Sequence, residues 1–220
     1  MIDVDINKKF EYENKYYLTA SVDRFSKFAT HLDFFKMTTG LPGEIVECGV
    51  FKGNSLMRWI KFRSLFENSF SRKIIAFDTF GEFPETDFDP DIKRRKEFIE
   101  EAGNKSVSKE QLVLILKSLD LFQNIELEEG DILRTVPEYT QEFPFLKISL
   151  LHIDVDLYEP TKIILENLFP CVVKGGIIVL DDYGAFPGAN MAIDDYFKNF
   201  EIRIQRLPYS NAISYIEKPF

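Results

Sequence analysis

The sequence is poor in the side chains that build disulfide frameworks and cysteine-type zinc sites. Its 220 residues include two cysteines and two histidines. Two cysteines are too few for a disulfide scaffold or a four-cysteine zinc site, and both lie in apolar stretches. We therefore expect Cys48 and Cys171 to be buried, reduced thiols in a cytosolic protein.

The sequence also lacks an excess of basic residues and a long hydrophobic run. Its 27 lysines and arginines are outnumbered by 36 aspartates and glutamates, for a net charge of −9. A phosphate polyanion would be repelled on average, which argues against a nucleic-acid partner. No apolar run approaches the roughly 20 residues that span a bilayer, and residues 1–17 are too polar for a signal peptide. We expect a cytoplasmic protein with no membrane partner.

Apolar side chains are abundant, at 45% of the sequence against 29% charged residues. This composition can bury a sizeable core and excludes global disorder. The length fits one domain, and no linker, repeat or low-complexity tract divides the chain. We therefore expect a single domain over residues 1–220.

The apolar pattern alternates between helical spacing and short runs. Helical spacing predicts an N-terminal helical segment over about 14–39, which a glycine–proline turn ends. Residues 201–206 and 212–217 alternate around a turn and predict a closing hairpin. The five other predicted strands are Ile45–Cys48, Lys73–Phe77, Asn124–Leu127, Leu146–Ile153 and Ile177–Leu180.

Strands that alternate with helices predict an α/β fold. We expect a Rossmann-like, doubly wound, mostly parallel sheet of seven strands, with the hairpin as its antiparallel edge. The run Leu146–Ile153 is almost entirely apolar, as in a strand buried on both faces. In open sheets of this kind ligands bind outside the carboxyl ends of the strands. Nearly every predicted strand ends in an acid, so that edge is the expected site.

The turn after the first strand, Glu47–Gly53, is the first candidate site. Its glycines let the backbone approach a ligand closely, and the next helix begins with free N–H groups. The turn lacks the G-x-G-x-x-G spacing of a dinucleotide site. The carboxylate of Glu47 suits a cationic amino group better than a pyrophosphate. A tight turn without a ligand is the alternative.

Acids also close the second and third strands. Asp78 follows the second strand, where nucleotide-binding sheets hold the two hydroxyls of a ribose. Capping of the next segment is its alternative role. Asp131, preceded by Gly130, follows the third strand and is a candidate neighbour of an adenine. An N-cap for residues 132–136 competes equally with that interpretation.

The fourth and fifth strands end in pairs of acids. Asp154 and Asp156 follow the fourth strand, and Asp181 and Asp182 follow the fifth. One crossover helix fits between the pairs, so the strands should be neighbours and their carboxylates should converge. Converging carboxylates repel one another unless a cation joins them. All-oxygen ligation favours Mg²⁺, with Ca²⁺ or Mn²⁺ as alternatives. Solvated turn acids are the alternative for the second pair.

His152 is a further candidate at the same edge. It lies two residues before Asp154, so both side chains point to one face of the strand. It is therefore a candidate catalytic base, with a buried, hydrogen-bonded histidine as the alternative. The loop 80–88 is long enough to cover a site.

Four segments of the chain resemble the macrocin and mycinamicin type of sugar O-methyltransferases, which are class I S-adenosylmethionine-dependent methyltransferases. The resemblance covers about residues 40–200, although Val155 and Pro160 replace a glycine and a serine common in the family. It implies S-adenosylmethionine and Mg²⁺ as cofactors and a sugar hydroxyl as acceptor. The segments, in the order of the family, are LPGEIVECGVFKG, IIAFDTFGEFP, LLHIDVDLYEPT and KGGIIVLDDYG.

The resemblance also implies roles for individual residues. Those implied at the methionine end of the cofactor are Glu47, Gly49, Val50 and Gly53. Those implied at the ribose and the adenine are Asp78, Thr79, Phe80, Gly130 and Asp131. Those implied as Mg²⁺ ligands are Asp154, Asp181 and Asp182. Asp154 would also border the cofactor and is the candidate base.

The expected reaction is methyl transfer to one hydroxyl of a vicinal diol on a small molecule. A divalent cation lowers the pKa of the attacking hydroxyl, and a carboxylate takes its proton. The missing glycine pattern disfavours a dinucleotide oxidoreductase. A catechol-type methyltransferase and a noncatalytic S-adenosylmethionine-binding protein stay open as alternatives. The oligomeric state also stays open, with a homo-oligomer among the possibilities.

Overall fold

A computed structural model describes residues 5–219 of the chain. Within this range eight α-helices alternate with six strands. The helices are α1 (Lys9–Thr19), α2 (Val22–Met37), α3 (Asn54–Phe66), α4 (Asp89–Ala102), α5 (Lys109–Ser118), α6 (Ile132–Glu142), α7 (Tyr158–Leu168) and α8 (Pro187–Phe197). The strands are β1 (Glu44–Cys48), β2 (Ile74–Asp78), β3 (Ile125–Glu129), β4 (Ile148–Ile153), β5 (Val172–Leu180) and β6 (Ser214–Glu217).

Some expectations reach beyond the described range. The single domain predicted over 1–220 includes residues 1–4 and 220, and the segment judged too polar for a signal peptide includes residues 1–4. These residues lie outside the part of the chain that the structure describes. Among the described helices, none is both long enough and apolar enough to cross a membrane.

The six strands form one sheet in the order β3-β2-β1-β4-β5-β6. Strands β1 to β5 run parallel, and β6 pairs antiparallel with β5. The prediction of a mostly parallel, doubly wound sheet is confirmed. Because the chain order reverses beside β1, which lies between β2 and β4, a crevice is expected there at the carboxyl ends of the strands.

The predicted count of seven strands is wrong for the described residues, because the first arm of the hairpin is not a strand. Residues 201–206 contribute one isolated bridge, between Gln205 and Tyr215. Turns confine this stretch on both sides, since the Ile202 N–H donates to the Phe200 carbonyl and the Ser210 N–H to the carbonyl of residue 207. The extended backbone between the turns is long enough for one bridge but not for a ladder.

Helices cover both faces of the sheet and enclose two apolar clusters. All six residues of β4 are buried, as its almost entirely apolar sequence predicts. Leu151 and Ile153 face the cluster under α6 to α8, and Leu150 faces the opposite cluster, which includes residues of α2, α3 and α5. Cys48 is a buried free thiol, whereas Cys171 is a free thiol that is only partly buried.

The N-terminal helical segment is two helices rather than the single one predicted. The backbone is extended at Ala20 and Ser21, which separates α1 from α2. Helix α1 buries no residue of its own. It contacts α2 through Tyr16 and Tyr17, whose rings each lie 5.6 Å from the ring of Phe25. Helix α2 packs its buried face on the sheet and brings that face to the site.

Candidate functional site

The turn after β1 requires glycine at its first position. Gly49 has a φ of +93°, and a Cβ at that position would lie 1.8 Å from the backbone carbonyl oxygen of Asp154. The Asp154 N–H donates to the carbonyl of Cys48 at 2.9 Å. The ends of β1 and β4 are therefore in direct backbone contact, which brings the glycine turn beside Asp154.

Asp78 connects β2 to this turn. One carboxylate oxygen accepts from the N–H groups of Val50 at 2.7 Å and Phe51 at 3.0 Å. The other accepts from the N–H of Phe80 at 2.6 Å, so the predicted alternative, capping of the next segment, is present. The Thr79 hydroxyl lies 3.5 Å from the same oxygen. Since a carboxylate has about four acceptor positions, the three short hydrogen bonds and this long contact leave Asp78 at most one position for a ligand.

Asp131 forms the N-cap of α6, the second of its two predicted roles. Its side chain accepts from the N–H of Leu133 at 2.9 Å. Gly130, with a φ of +144°, joins the ends of β2 and β3, since its N–H donates to the Asp78 carbonyl at 3.0 Å. The Asp131 side chain also borders the cavity described next, so the cap role does not remove it from the site.

A cavity of about 970 Å³ opens at the carboxyl ends of the parallel strands. Its volume lies at the upper end of the usual range for small-molecule sites. Residues 83–87 of the long loop border it, as expected of a loop that covers a site. The predicted site residues on its wall are Gly49, Val50, Asp78, Thr79, Asp131, Asp154, Asp181 and Asp182. Those that do not border it are Glu47, Gly53, Phe80, Gly130 and His152.

Three carboxylates converge at one end of this cavity. Asp154, Asp156 and Asp182 each bring an oxygen within 4.8 Å of the others. Burial and the charge of Asp181 raise the pKa of Asp154 to about 6. Burial and the charge of Asp154 raise the pKa of Asp156 to about 7, and burial and Asp156 raise that of Asp182. Because a bound cation would relieve this repulsion, the cluster fits a hard divalent ion.

The position of Asp181 differs from the sequence prediction, because its carboxylate is paired with a lysine. Lys27 Nζ of α2 lies 2.6 Å from Asp181 Oδ2 and 4.0 Å from Asp154 Oδ2. Burial alone would raise the pKa of Asp181, but Lys27 and the His152 contact hold it well below its usual range. Asp156 joins Asp154 and Asp182 in the close cluster, although the predicted ligand set did not include it.

Sequence reasoning missed Lys27 because it belongs to no strand-end motif. The signal that could have identified it is its spacing of four residues from His31, which puts both on the face of α2 that contains the buried Phe34 and Phe35. A lysine on a buried helix face requires a partner, because a buried charge is costly unless it is paired.

His152 lies behind the cavity wall in a buried polar network. Its Nδ1 is 3.3 Å from Glu47 Oε1, and its Nε2 is 3.4 Å from Asp181 Oδ1. Burial alone would lower the pKa of His152, but these two carboxylates raise it to about 9. His31 stacks on Trp59 with ring centroids 4.6 Å apart, and burial lowers its pKa to about 3. The alternative of a buried, hydrogen-bonded His152 matches this position.

Comparison with known proteins gives a family match and several relatives. Residues 21–207 match the model of the family described as macrocin-O-methyltransferase (TylF). The chain is 31% identical over 166 residues to the demethyldecarbamoylnovobiocin O-methyltransferase of Streptomyces niveus, over 74% of this chain and 61% of that protein. It is 28% identical over 162 residues to the 8-demethyl-8-(2,3-dimethoxy-alpha-L-rhamnosyl)-tetracenomycin-C 4'-O-methyltransferase of Streptomyces olivaceus. That match covers 73% of this chain and 60% of that protein. The chain thus spans about three fifths of the length of these relatives.

Solved structures show the same fold. The crystal structure of CalS11, a calicheamicin methyltransferase, has a TM-score of 0.77 and 28% identity, and the match covers 95% of this chain and 85% of that one. An apo structure of CalS11, described as a TDP-rhamnose 3'-O-methyltransferase, has a TM-score of 0.69 and 26% identity over 97% and 86% of the chains. The protein therefore has the class I methyltransferase fold, here with six described strands.

Proposed function

The chain belongs to the macrocin-O-methyltransferase (TylF) family, and on that premise we propose that it is an S-adenosylmethionine-dependent O-methyltransferase. Its proposed acceptor is a vicinal diol on a sugar or a glycosylated metabolite. The observation that carries the proposal is the single cavity shared by the Gly49 turn and the carboxylates after β4 and β5. A cavity of about 970 Å³ has room for an elongated cofactor together with an acceptor.

The proposed donor site lies along the turns after β1, β2 and β3. S-adenosylmethionine supplies a methyl group on a positively charged sulfur, and the neutral thioether leaves without an acid catalyst. The remaining acceptor position of Asp78 suits a ribose hydroxyl, and Thr79 and Asp131 also border the cavity. The absence of a side chain at Gly49 allows close approach of the ligand to the backbone. The predicted residues that do not border the cavity would contribute by shaping these turns; they are Glu47, Gly53, Phe80 and Gly130.

Asp154 is the proposed general base. Its carboxylate follows β4 and borders the cavity, where an acceptor hydroxyl would lie beside it. It can therefore accept the proton of the acceptor hydroxyl as the new carbon–oxygen bond forms. His152 is proposed to act through Asp181, which it contacts at 3.4 Å, and not by direct contact with substrate.

Asp154 and Asp182 are proposed to hold Mg²⁺, because both belong to the predicted ligand set and to the converging cluster. The third proposed ligand is Asp181, and Asp156 is the competing candidate since it is closer to the other two. When bound, Mg²⁺ would lower the pKa of an acceptor hydroxyl and orient it.

The test is transfer of labelled methyl groups from S-adenosylmethionine to a panel of sugar diols, with Mg²⁺ or with a chelator. We expect transfer to sugars with Mg²⁺ and its loss with the chelator. Asp154→Asn should reduce turnover by about 100-fold, with little change in affinity for S-adenosylhomocysteine. Asp120→Asn, which is exposed and does not border the cavity, is the matched control.

Three outcomes would count against the proposal. Transfer to catechols but not to sugars would favour a catechol-type enzyme. Binding of S-adenosylhomocysteine without turnover on any diol would favour a noncatalytic binding protein. Binding of NAD(H) in place of S-adenosylhomocysteine would favour an oxidoreductase.

A further inference from the structure

Two arginines border the cavity without a carboxylate partner. Arg24 of α2 and Arg58 of α3 both line its wall. Among residues 5–219 neither guanidinium has an acidic oxygen within ion-pair distance. The Arg58 guanidinium contacts His31 Nδ1 at 3.4 Å, and that ring is neutral at physiological pH because burial lowers its pKa to about 3. The cavity wall therefore holds two positive charges that no nearby side chain neutralises by direct contact.

Arg94 provides a contrast on the same wall. Its guanidinium lies 3.7 Å from Glu97 and 4.9 Å from the centre of the Phe186 ring. Asp181 is the carboxylate whose charge acts most on the pKa of Arg58, but it is already paired with Lys27 at 2.6 Å. Burial lowers the pKa of Arg58, the charge of Asp181 opposes this effect, and the charge of Arg24 adds to it; a guanidinium stays protonated at pH 7. Arg24 is exposed to solvent, whereas Arg58 is partly buried, and a partly buried charge is costly unless an anion pairs with it.

A chain of contacts connects Arg58 to the carboxylates beside which the acceptor is proposed to bind. Arg58 contacts His31, whose other ring nitrogen is 3.9 Å from Asp181. Arg24 also borders a second cavity of about 490 Å³, which lies between the start of α2 and residues 210–213. Ser26 ties these two segments together, since its hydroxyl donates to the carbonyl of residue 209 at 2.6 Å. A ligand with its sugar beside the carboxylates can therefore extend past Arg24.

We propose that Arg24 and Arg58 form an anion subsite for a phosphate of the acceptor, so that the substrate is a nucleoside-diphosphate sugar and not a neutral glycoside. This inference rests on the proposed function, because it names the acceptor class of the same site. The planar fork of a guanidinium matches phosphate oxygens and makes paired, charge-assisted hydrogen bonds with them. The methionine carboxylate of the donor is the other anion that two arginines could bind, and the experiment separates the two.

The first arm measures binding of thymidine diphosphate to the whole chain by calorimetry. We expect binding by the wild type that weakens about tenfold or more in Arg58→Gln and in Arg24→Gln, since each removes a charge-assisted hydrogen bond. Arg58→Lys should retain part of the affinity, and Arg203→Gln, an exposed control outside both cavities, should retain all of it. Absence of binding by the wild type, or equal binding by all variants, would overturn the inference.

The second arm measures the affinity of the same variants for S-adenosylhomocysteine by calorimetry. Unchanged affinity supports an acceptor subsite, whereas a tenfold loss would assign the arginines to the donor carboxylate and overturn the inference. With methyl transfer as the readout, KM for a nucleoside-diphosphate sugar should rise about tenfold in Arg24→Gln while kcat is kept. Equal turnover of neutral glycosides would refute the subsite and leave the proposed function intact. Failure of transfer to every sugar would refute the proposed function, and thymidine diphosphate binding would still test the subsite.

Discussion

Replacement of Lys27 by methionine should destabilise the protein and change how it responds to Mg²⁺. The Lys27 ammonium lies 2.6 Å from Asp181, with the two side chains 25% and 10% exposed. Removing one partner of a fully buried pair costs about 3–5 kcal/mol, and exposed pairs contribute about 0–1 kcal/mol. At this intermediate exposure we expect a loss of about 2 kcal/mol. For a chain of this length that corresponds to a Tm lower by about 4–8 °C.

The same variant should gain more from a divalent cation than the wild type does. Without Lys27 the carboxylates of Asp154 and Asp181 lose a neighbouring positive charge. The cluster is then more negative by one charge, so Mg²⁺ should bind it more tightly and stabilise the folded state further. Thermal unfolding followed by circular dichroism, in chelator and across a Mg²⁺ series, measures both effects, and calorimetry gives the Mg²⁺ affinity.

Lys36→Met, on an exposed position of the same helix, is the matched control. It loses only an exposed contact with the Phe66 ring, so its Tm should fall much less and its response to Mg²⁺ should not change. In chelator, adding Asp181→Asn to Lys27→Met should recover much of the lost stability, since no unpaired carboxylate would remain at that position. The reasoning is refuted if Lys27→Met melts at the wild-type temperature in chelator, or if Mg²⁺ raises its Tm no more than that of the wild type.

Four further predictions concern the glycine turns, cofactor binding and the two histidines. Gly49→Ala should prevent soluble folding, because its Cβ would lie 1.8 Å from backbone, whereas Gly40→Ala, with open space around it, should cost only about 1–2 kcal/mol of unfolding free energy in urea. Asp78→Asn should weaken S-adenosylhomocysteine binding in calorimetry, and wild-type affinity would exclude the ribose role. The unfolding free energy of the wild type minus that of His31→Asn should fall as pH drops from about 6.5 towards 3. The reason is that His31 stays neutral in the folded state and is protonated in the unfolded state. The unfolding free energy of the wild type minus that of His152→Asn should fall as pH rises from about 6.5 to 9, because the folded state keeps His152 protonated. A flat pH profile of either difference would contradict the assigned pKa.

The strand ends could be predicted because their signals are local. Apolar runs followed by glycine or acid mark the ends of β1, β2, β4 and β5, and a parallel sheet aligns those ends at one edge. Gly49, Asp78, Asp154 and Asp182 accordingly border the cavity. The missing strand at 201–206 has the same alternation as β6, so its pattern could not reveal that turns on both sides leave room for one bridge.

By itself the sequence determined the five parallel strands, which edge of the sheet carries the acids, and the glycine turn that follows β1. Only the tertiary structure decided which carboxylates meet. Docking of α2 brings Lys27 to Asp181, 154 residues away in the chain. The close carboxylate cluster is formed by Asp154, Asp156 and Asp182, without Asp181. Pairing of β1 with β4 places Glu47 and His152 next to each other behind the wall of the cavity. Periodicity specifies the face on which a side chain lies, but the partner of a buried charge depends on how distant segments pack.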